Sequence, residues 1–159
     1  MKEPIVQYIP LDRHRMTETD TVALCEAINL AFAEYEAFTG KPYLRFESHE
    51  RFMQNLSDED SHFLVVKRGA QFIAGVCFHT PSPESDTLYF GMLWVAPNER
   101  RQGIAEKLIQ RIEEEAKHRN KKGLMIKLFK IPKLVQYYQA LGFDFIEGNQ
   151  AGPMVKVFT

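Results

Sequence analysis

The period of apolar positions changes several times along this chain. Residues 5–11 alternate loosely, which predicts a strand. From 21 to 38, Val22, Leu24, Cys25, Ile28, Leu30, Phe32, Tyr35 and Phe38 recur at helical spacing. Thr39-Gly40-Lys41-Pro42 stops that helix, with glycine after the last turn and proline beyond. Ser48 opens a short second helix through Leu56. The runs at 62–66 and 71–78 read as two strands, and Lys67-Arg68-Gly69-Ala70 between them as a hairpin turn. A loop at 81–86 leads into residues 87–95, β-branched and aromatic, which read as a buried strand ended by Pro97. Residues 103–119 form the clearest helix, because Ile104, Leu108, Ile109, Ile112 and Ala116 share one stripe. A strand at 124–129 follows. Pro132 suits the first turn of the next helix, whose face is Leu134, Val135, Tyr138 and Leu141, with Gly142 closing it. Residues 143–146 and 154–158 read as the last strands. Interleaved strands and helices predict an α/β class with an α+β mixed sheet. No internal repeat or low-complexity segment interrupts it.

Composition narrows the class further. The chain has 159 residues, 45% hydrophobic and 26% charged. These values suit one globular domain over 1–159 and exclude a disordered or fibrous chain. The apolar runs at 72–78 and 90–96 are far short of the ~18–20 residues of a membrane span. The N-terminus, with Lys2, Glu3 and Asp12, lacks the apolar core of a signal peptide. Cys25 and Cys77 have no metal-ligand spacing. These features predict a cytoplasmic, reduced setting.

Charge is unevenly placed. Residues 1–97 carry −6, residues 98–133 carry +6, and the whole chain carries −1. The basic stretch has two readings, a solvated helix face or the footprint of a small anionic ligand. A large nucleic-acid partner does not fit so local a patch.

The segment Val95-Ala96-Pro97-Asn98-Glu99-Arg100-Arg101-Gln102-Gly103-Ile104-Ala105 bears on that choice, as an anion-binding turn or as a plain strand-to-helix turn with surface arginines. It runs from a strand through a turn and a glycine into a long helix. A helix start leaves backbone N–H groups without partners and carries partial positive charge, which suits a pyrophosphate. Gly103 removes the Cβ from the approach, Ala105 keeps the next position small, and Arg100 and Arg101 add charge. The Walker and dinucleotide glycine patterns are both absent.

Arg100-x-x-Gly103-x-Ala105, after Leu93-Trp94-Val95-Ala96-Pro97, resembles the acyl-CoA signature of the GNAT superfamily of N-acetyltransferases. Tyr137-Tyr138-Gln139-Ala140-Leu141-Gly142-Phe143 resembles the Tyr-x-x-x-Gly-Phe segment of the same superfamily. The strong likeness covers residues 87–146; before that only the order of elements matches. The resemblance implies a mostly antiparallel sheet, splayed at the cofactor site and flanked by about four helices. It implies acetyl-CoA as cosubstrate and no metal. Leu93, Trp94 and Val95 would line the pantetheine arm, with the backbone of Leu93 and Val95 pairing like an added strand. Arg100, Arg101, Gln102, Gly103, Ile104, Ala105 and Glu106 would bind the pyrophosphate, and Lys107, Lys130 and Lys133 would draw the remaining phosphate. Tyr138 would be the general acid for the leaving thiolate.

Two departures from the superfamily pattern stand out. Relatives often carry a glutamate base on the strand before the phosphate loop, whereas residues 87–93 hold no carboxylate. Glu84, Asp86, His79, a water chain or a backbone carbonyl remain open, and no base is assigned. Relatives also often carry asparagine where this chain has Ile131. The superfamily's acceptor region is acidic here, with Glu26, Glu34, Glu36, Glu47, Glu50, Asp58, Glu59 and Asp60, and has Tyr35, Phe38, Tyr43 and Phe46 as apolar walls. That predicts a cationic amine of a small molecule or protein as acceptor, unless the face is simply solvated. The competing functions are a CoA-binding regulatory module without turnover and an interaction domain. Residues 154–158 either pair across a homodimer edge or simply finish the sheet.

Overall fold

The computed structural model describes residues 5–82, 84–146 and 149–159. Lys2 and Glu3, read for a leader, and Pro83 of the expected loop lie outside the described residues. The strands are β1 (Val6–Pro10), β2 (His62–Arg68), β3 (Gln71–His79), β4 (Thr87–Val95), β5 (Gly123–Ile126), β6 (Asp144–Phe145) and β7 (Met154–Val157). The helices are α1 (Glu18–Phe32), α2 (Glu36–Thr39), α3 (His49–Leu56), α4 (Ile104–His118) and α5 (Pro132–Ala140). Among the described residues the hydrogen-bonded order is β1-β2-β3-β4-β5-β7-β6. This is the mixed α/β sheet that the alternating pattern predicts.

The chain forms two compact units, one of Met1–Cys77 with Met92–Leu108, the other of Phe78–Gly91 with Ile109–Thr159. In the first unit β1 runs antiparallel to β2, from Val6 opposite Arg68 to Pro10 opposite Leu64. Pro10 is tolerated because β1 is an edge strand. The core gathers Leu24, Ile28 and Phe32 of α1, Phe52 and Leu56 of α3, and Phe63, Val65, Phe72 and Trp94 of the sheet. Asn29 fixes the following loop, its side chain bonding both the Phe46 N–H (2.8 Å) and the Phe46 carbonyl (2.9 Å).

In the second unit β4 runs parallel to β5 over Thr87–Tyr89, and β5 runs antiparallel to β7. Leu88, Phe90, Leu124, Phe143 and Met154 are buried there, as are Ile109, Ile112 and Ala116 of α4. β7 pairs with β5 on one side and β6 on the other. Met154 and Val155 are thus flanked on both sides, and residues 154–157 take their place within the sheet beside β5.

Other differences have local causes. The helix expected over 21–38 is broken. α1 ends at Phe32, a 3₁₀ turn occupies Ala33–Tyr35, and α2 follows. It also starts earlier, because Thr17 and Asp20 form a reciprocal capping box. The strand expected over 124–129 ends at Ile126, where its pairing with β7 ends at Met154.

Candidate active site

β4 leads directly into the segment singled out in the sequence. Its exit is pinned where the Ala96 N–H donates to the Ile73 carbonyl at 2.8 Å. A 3₁₀ turn over Pro97–Glu99 follows, then residues 100–103, then α4. Arg101 and Gly103 both adopt left-handed backbone, with φ of 66° and 77°. Alternation of this kind turns successive N–H groups toward one side and makes an anion-binding concavity. The Lys107 N–H donates to the Gly103 carbonyl at 3.1 Å, the first bond of the helix ladder. The amides of Ile104, Ala105 and Glu106 precede it and face the helix mouth. A Cβ built on Gly103 would have no atom within 4 Å. Glycine is therefore favoured there by its backbone angle rather than by crowding, and open space remains above the amides.

The side chains of the loop mostly brace it. Arg68 donates twice to Glu99, Nε to Oε1 at 3.1 Å and Nη2 to Oε2 at 2.9 Å, and Gln102 Nε2 donates to Oε2 at 3.2 Å. Glu99 is buried, with 8% of its surface exposed. The Arg68 hydrogen bonds hold its carboxyl below the ordinary value, against the opposing effect of burial. Arg100 turns inward as well: Nε donates to the Val95 carbonyl (3.1 Å), Nη2 to the Ala31 carbonyl (3.1 Å) and Nη1 to Glu34 (2.6 Å). The guanidinium expected to add charge beside the amides is thus balanced by Glu34 and by the carbonyl end of α1. Trp94, expected at the pantetheine arm, has its ring in the core beside Gly75. Leu93 and Val95 are partly exposed and Arg101 is exposed. Lys107 Nζ lies 4.9 Å from the centre of the Tyr8 ring. Glu99 and Arg68 had no role assigned from the sequence, and Glu34, expected on the acidic acceptor face, instead pairs with Arg100. Only Glu99 left a signal, as an acid between Pro97 and two arginines.

In the second unit, α5 opens with Pro132 and has no side-chain cap from Ile131. Tyr138 is buried, its ring centre 6.4 Å from Phe90, 5.7 Å from Phe143 and 5.2 Å from Tyr137. Lys130 Nζ donates to the Gly152 carbonyl and sits over Phe145. Glu84 and Asp86 are exposed. His79 packs on Tyr89, with ring centres 4.7 Å apart.

Residues 24–143 match the family model described as the acetyltransferase (GNAT) family. That is more than half of the chain. The chain belongs to the GNAT acetyltransferase family. No curated protein matches it. Solved structures share the fold. A GNAT-family acetyltransferase from Staphylococcus aureus has a TM-score of 0.71 at 13% identity, covering 98% of this chain and 100% of that one. The PaiA N-acetyltransferase of Thermoplasma acidophilum, in complex with coenzyme A, has 0.73 at 14% identity, covering 97% and 99%. The ribosomal-protein-S18-alanine N-acetyltransferase of Escherichia coli has 0.69 at 17% identity, covering 98% and 95%.

GNAT membership makes the chain an acyltransferase. Its two thiols are poor acyl carriers: burial raises Cys25, and burial pushes Cys77 up to about 11. Burial thus disfavours the thiolate at both positions. Of the apolar walls expected for the acceptor, Tyr35 packs edge-on against Phe32 and Phe38 and lies 5.7 Å from Tyr43. Phe38 is 58% exposed, whereas Phe46 is buried against Phe52. The fourth wall is thus a core residue. Burial, then the neighbouring Glu34, raises the Tyr35 phenol, which keeps it protonated.

Proposed function

We propose that this GNAT acetyltransferase moves an acetyl group from acetyl-CoA to a primary amine of a small molecule or protein by direct attack. The observation that carries this reading is the row of amides at 101–106. Two left-handed residues shape it, and Glu99 and Arg100 brace it. In this reading the diphosphate rests on those amides. The acyl arm runs along Leu93–Val95 as an added strand. Arg100, Gln102 and Trp94 hold the loop and strand in shape, while Arg101 and Lys107 supply cationic charge. Lys130 and Lys133 extend the basic stretch. A cytoplasmic setting fits two free cysteines and the supply of acetyl-CoA.

The chemistry sets two proton tasks. An alkylammonium with pKa ~10.4 is almost wholly protonated at neutral pH, so its free amine lies roughly 4–5 kcal/mol uphill. The departing thiolate also needs a proton or a strong hydrogen bond. We assign the second task to Tyr138, the tyrosine of the Tyr-x-x-x-Gly-Phe segment. An acceptor of positive charge is favoured by the carboxylates of residues 26–60 and by the exposed Phe38 beside Tyr35. The test combines calorimetry of acetyl-CoA binding with thiol release against putrescine, lysine amide and an alanyl peptide. Tyr138→Phe should lower turnover by roughly one to three orders of magnitude and leave acetyl-CoA binding largely intact. Acetyl-CoA binding with no thiol release from any amine would overturn the transfer reading. Acceptance of anionic compounds alone would overturn the charge argument.

A further inference from the structure

β4 presents alternate residues to opposite faces of the sheet. Leu88 and Phe90 are buried on one face, where Phe90 meets Tyr138 and Phe143. Tyr89 points to the other face. There it meets His79 from the end of β3, with ring centres 4.7 Å apart and planes tilted by 50°. The Tyr89 side chain lies forward along its own strand, over Gly91. A Cβ added at Gly91 would come within 3.0 Å of the Tyr89 hydroxyl oxygen and 3.3 Å of its ring. Gly91 therefore leaves the space in which this side chain lies. Both His79 and Tyr89 are only partly buried, so neither is a core residue.

The face lacks a carboxylate from the strand, since residues 87–93 hold none. Glu84 and Asp86 stand in water in the loop before it. An imidazole offers what the strand does not, a ring nitrogen with a free lone pair when neutral. We propose that His79 takes the proton of the attacking ammonium, with Tyr89 as the positioning residue that holds its ring. This assignment rests on the acetyl-transfer reading above. One ammonium proton moves to His79 and from there to water. The nitrogen lone pair then attacks the thioester carbonyl carbon, a C–N bond forms, and the C–S bond breaks with its electron pair on sulfur. The nitrogen loses a second proton to water as the amide forms. The sulfur gains one from Tyr138, which is reprotonated from water, so the reaction releases one proton net. Tyr138 and the His79–Tyr89 pair lie on opposite faces of β4, which keeps the acid and the base apart.

The experiment uses the full chain, acetyl-CoA and the fastest acceptor among putrescine, lysine amide and an alanyl peptide. His79→Ala should lower kcat by roughly 10²–10⁴-fold while acetyl-CoA affinity, by calorimetry, stays within about twofold. Added imidazole should restore part of the rate. His79→Gln, which keeps a planar group against Tyr89, should fold like the parent and show the same loss. Tyr89→Ala should lower kcat by a smaller factor, and Tyr89→Phe should restore most of it. Wild-type rates in both His79 variants would overturn the assignment, as would a lost rate that imidazole leaves unmoved. If the wild-type protein binds no acetyl-CoA, or acetylates none of the three amines, the underlying reading itself fails.

Discussion

Gly103 and Glu99 show how single residues shape the candidate site. A non-glycine residue at φ near +77° strains the backbone by about 1–2 kcal/mol. Gly103→Ala should therefore lower stability by about that much and weaken acetyl-CoA binding by roughly tenfold, measured by thermal melting and calorimetry. Unchanged affinity would show that the loop tolerates a different backbone. Glu99 works through its bidentate contact with Arg68. Its folded-state pKa lies below the ordinary 4.5. Its contribution is therefore complete above that value and lost as pH falls through the lower, folded value. Glu99→Gln should destabilise the protein by about 1–3 kcal/mol at pH 7. The gap between variant and parent should begin to narrow in melts taken below pH 4.5 and close below the lower, folded value. A gap that persisted in acid would assign the effect to shape rather than charge. The sequence showed where Glu99 stands but not that it is buried, because its partner Arg68 lies 31 positions away.

At the scale of elements, the mouth of α4 and the start of α1 use the same principle with opposite outcomes. α1 satisfies its first amides internally, with the Thr17 hydroxyl accepting from the Asp20 N–H at 3.1 Å. Thr17→Ala should cost about 1 kcal/mol, or about 2–4 °C in Tm, without altering acetyl-CoA affinity. A change in affinity would show that α1 is coupled to the phosphate loop, through Ala31 and Arg100 for example. α4 instead has Gly103 where a capping side chain would stand, so that position offers its first amides no side-chain oxygen. β4 is a further case. Its pairing with β5 covers Thr87–Tyr89, and three residues on Met92 adopts φ of 50°, a left-handed kink within the strand. Its β-branched and aromatic content predicted this strand but not its kink, since methionine gives no local sign of a positive φ. Strand lengths failed where pairing, rather than propensity, sets the end. Residues 127–129 are apolar enough for a strand but extend past the end of β7.

For the molecule as a whole, the class of fold and the family were legible before any coordinates. Helical stripes, a strand-turn-glycine-helix segment and a Tyr-x-x-x-Gly-Phe segment are local signals, and all three survive in the structure. Partners distant in sequence were not legible. Arg100 illustrates this, since its guanidinium joins Ala31, Glu34 and Val95 and so answers to residues 66 and 69 positions away. The uneven charge of the chain likewise located a basic segment without showing which side chains remain exposed. The central claim is that the amides of residues 101–106 grip the diphosphate of acetyl-CoA. It is tested most directly by titrating the ¹⁵N-labelled protein with acetyl-CoA and following the backbone amide resonances. The account predicts the largest shifts at Arg101 through Glu106, with smaller ones at Leu93 and Val95. Saturable binding that leaves the resonances of 101–106 in place would contradict it.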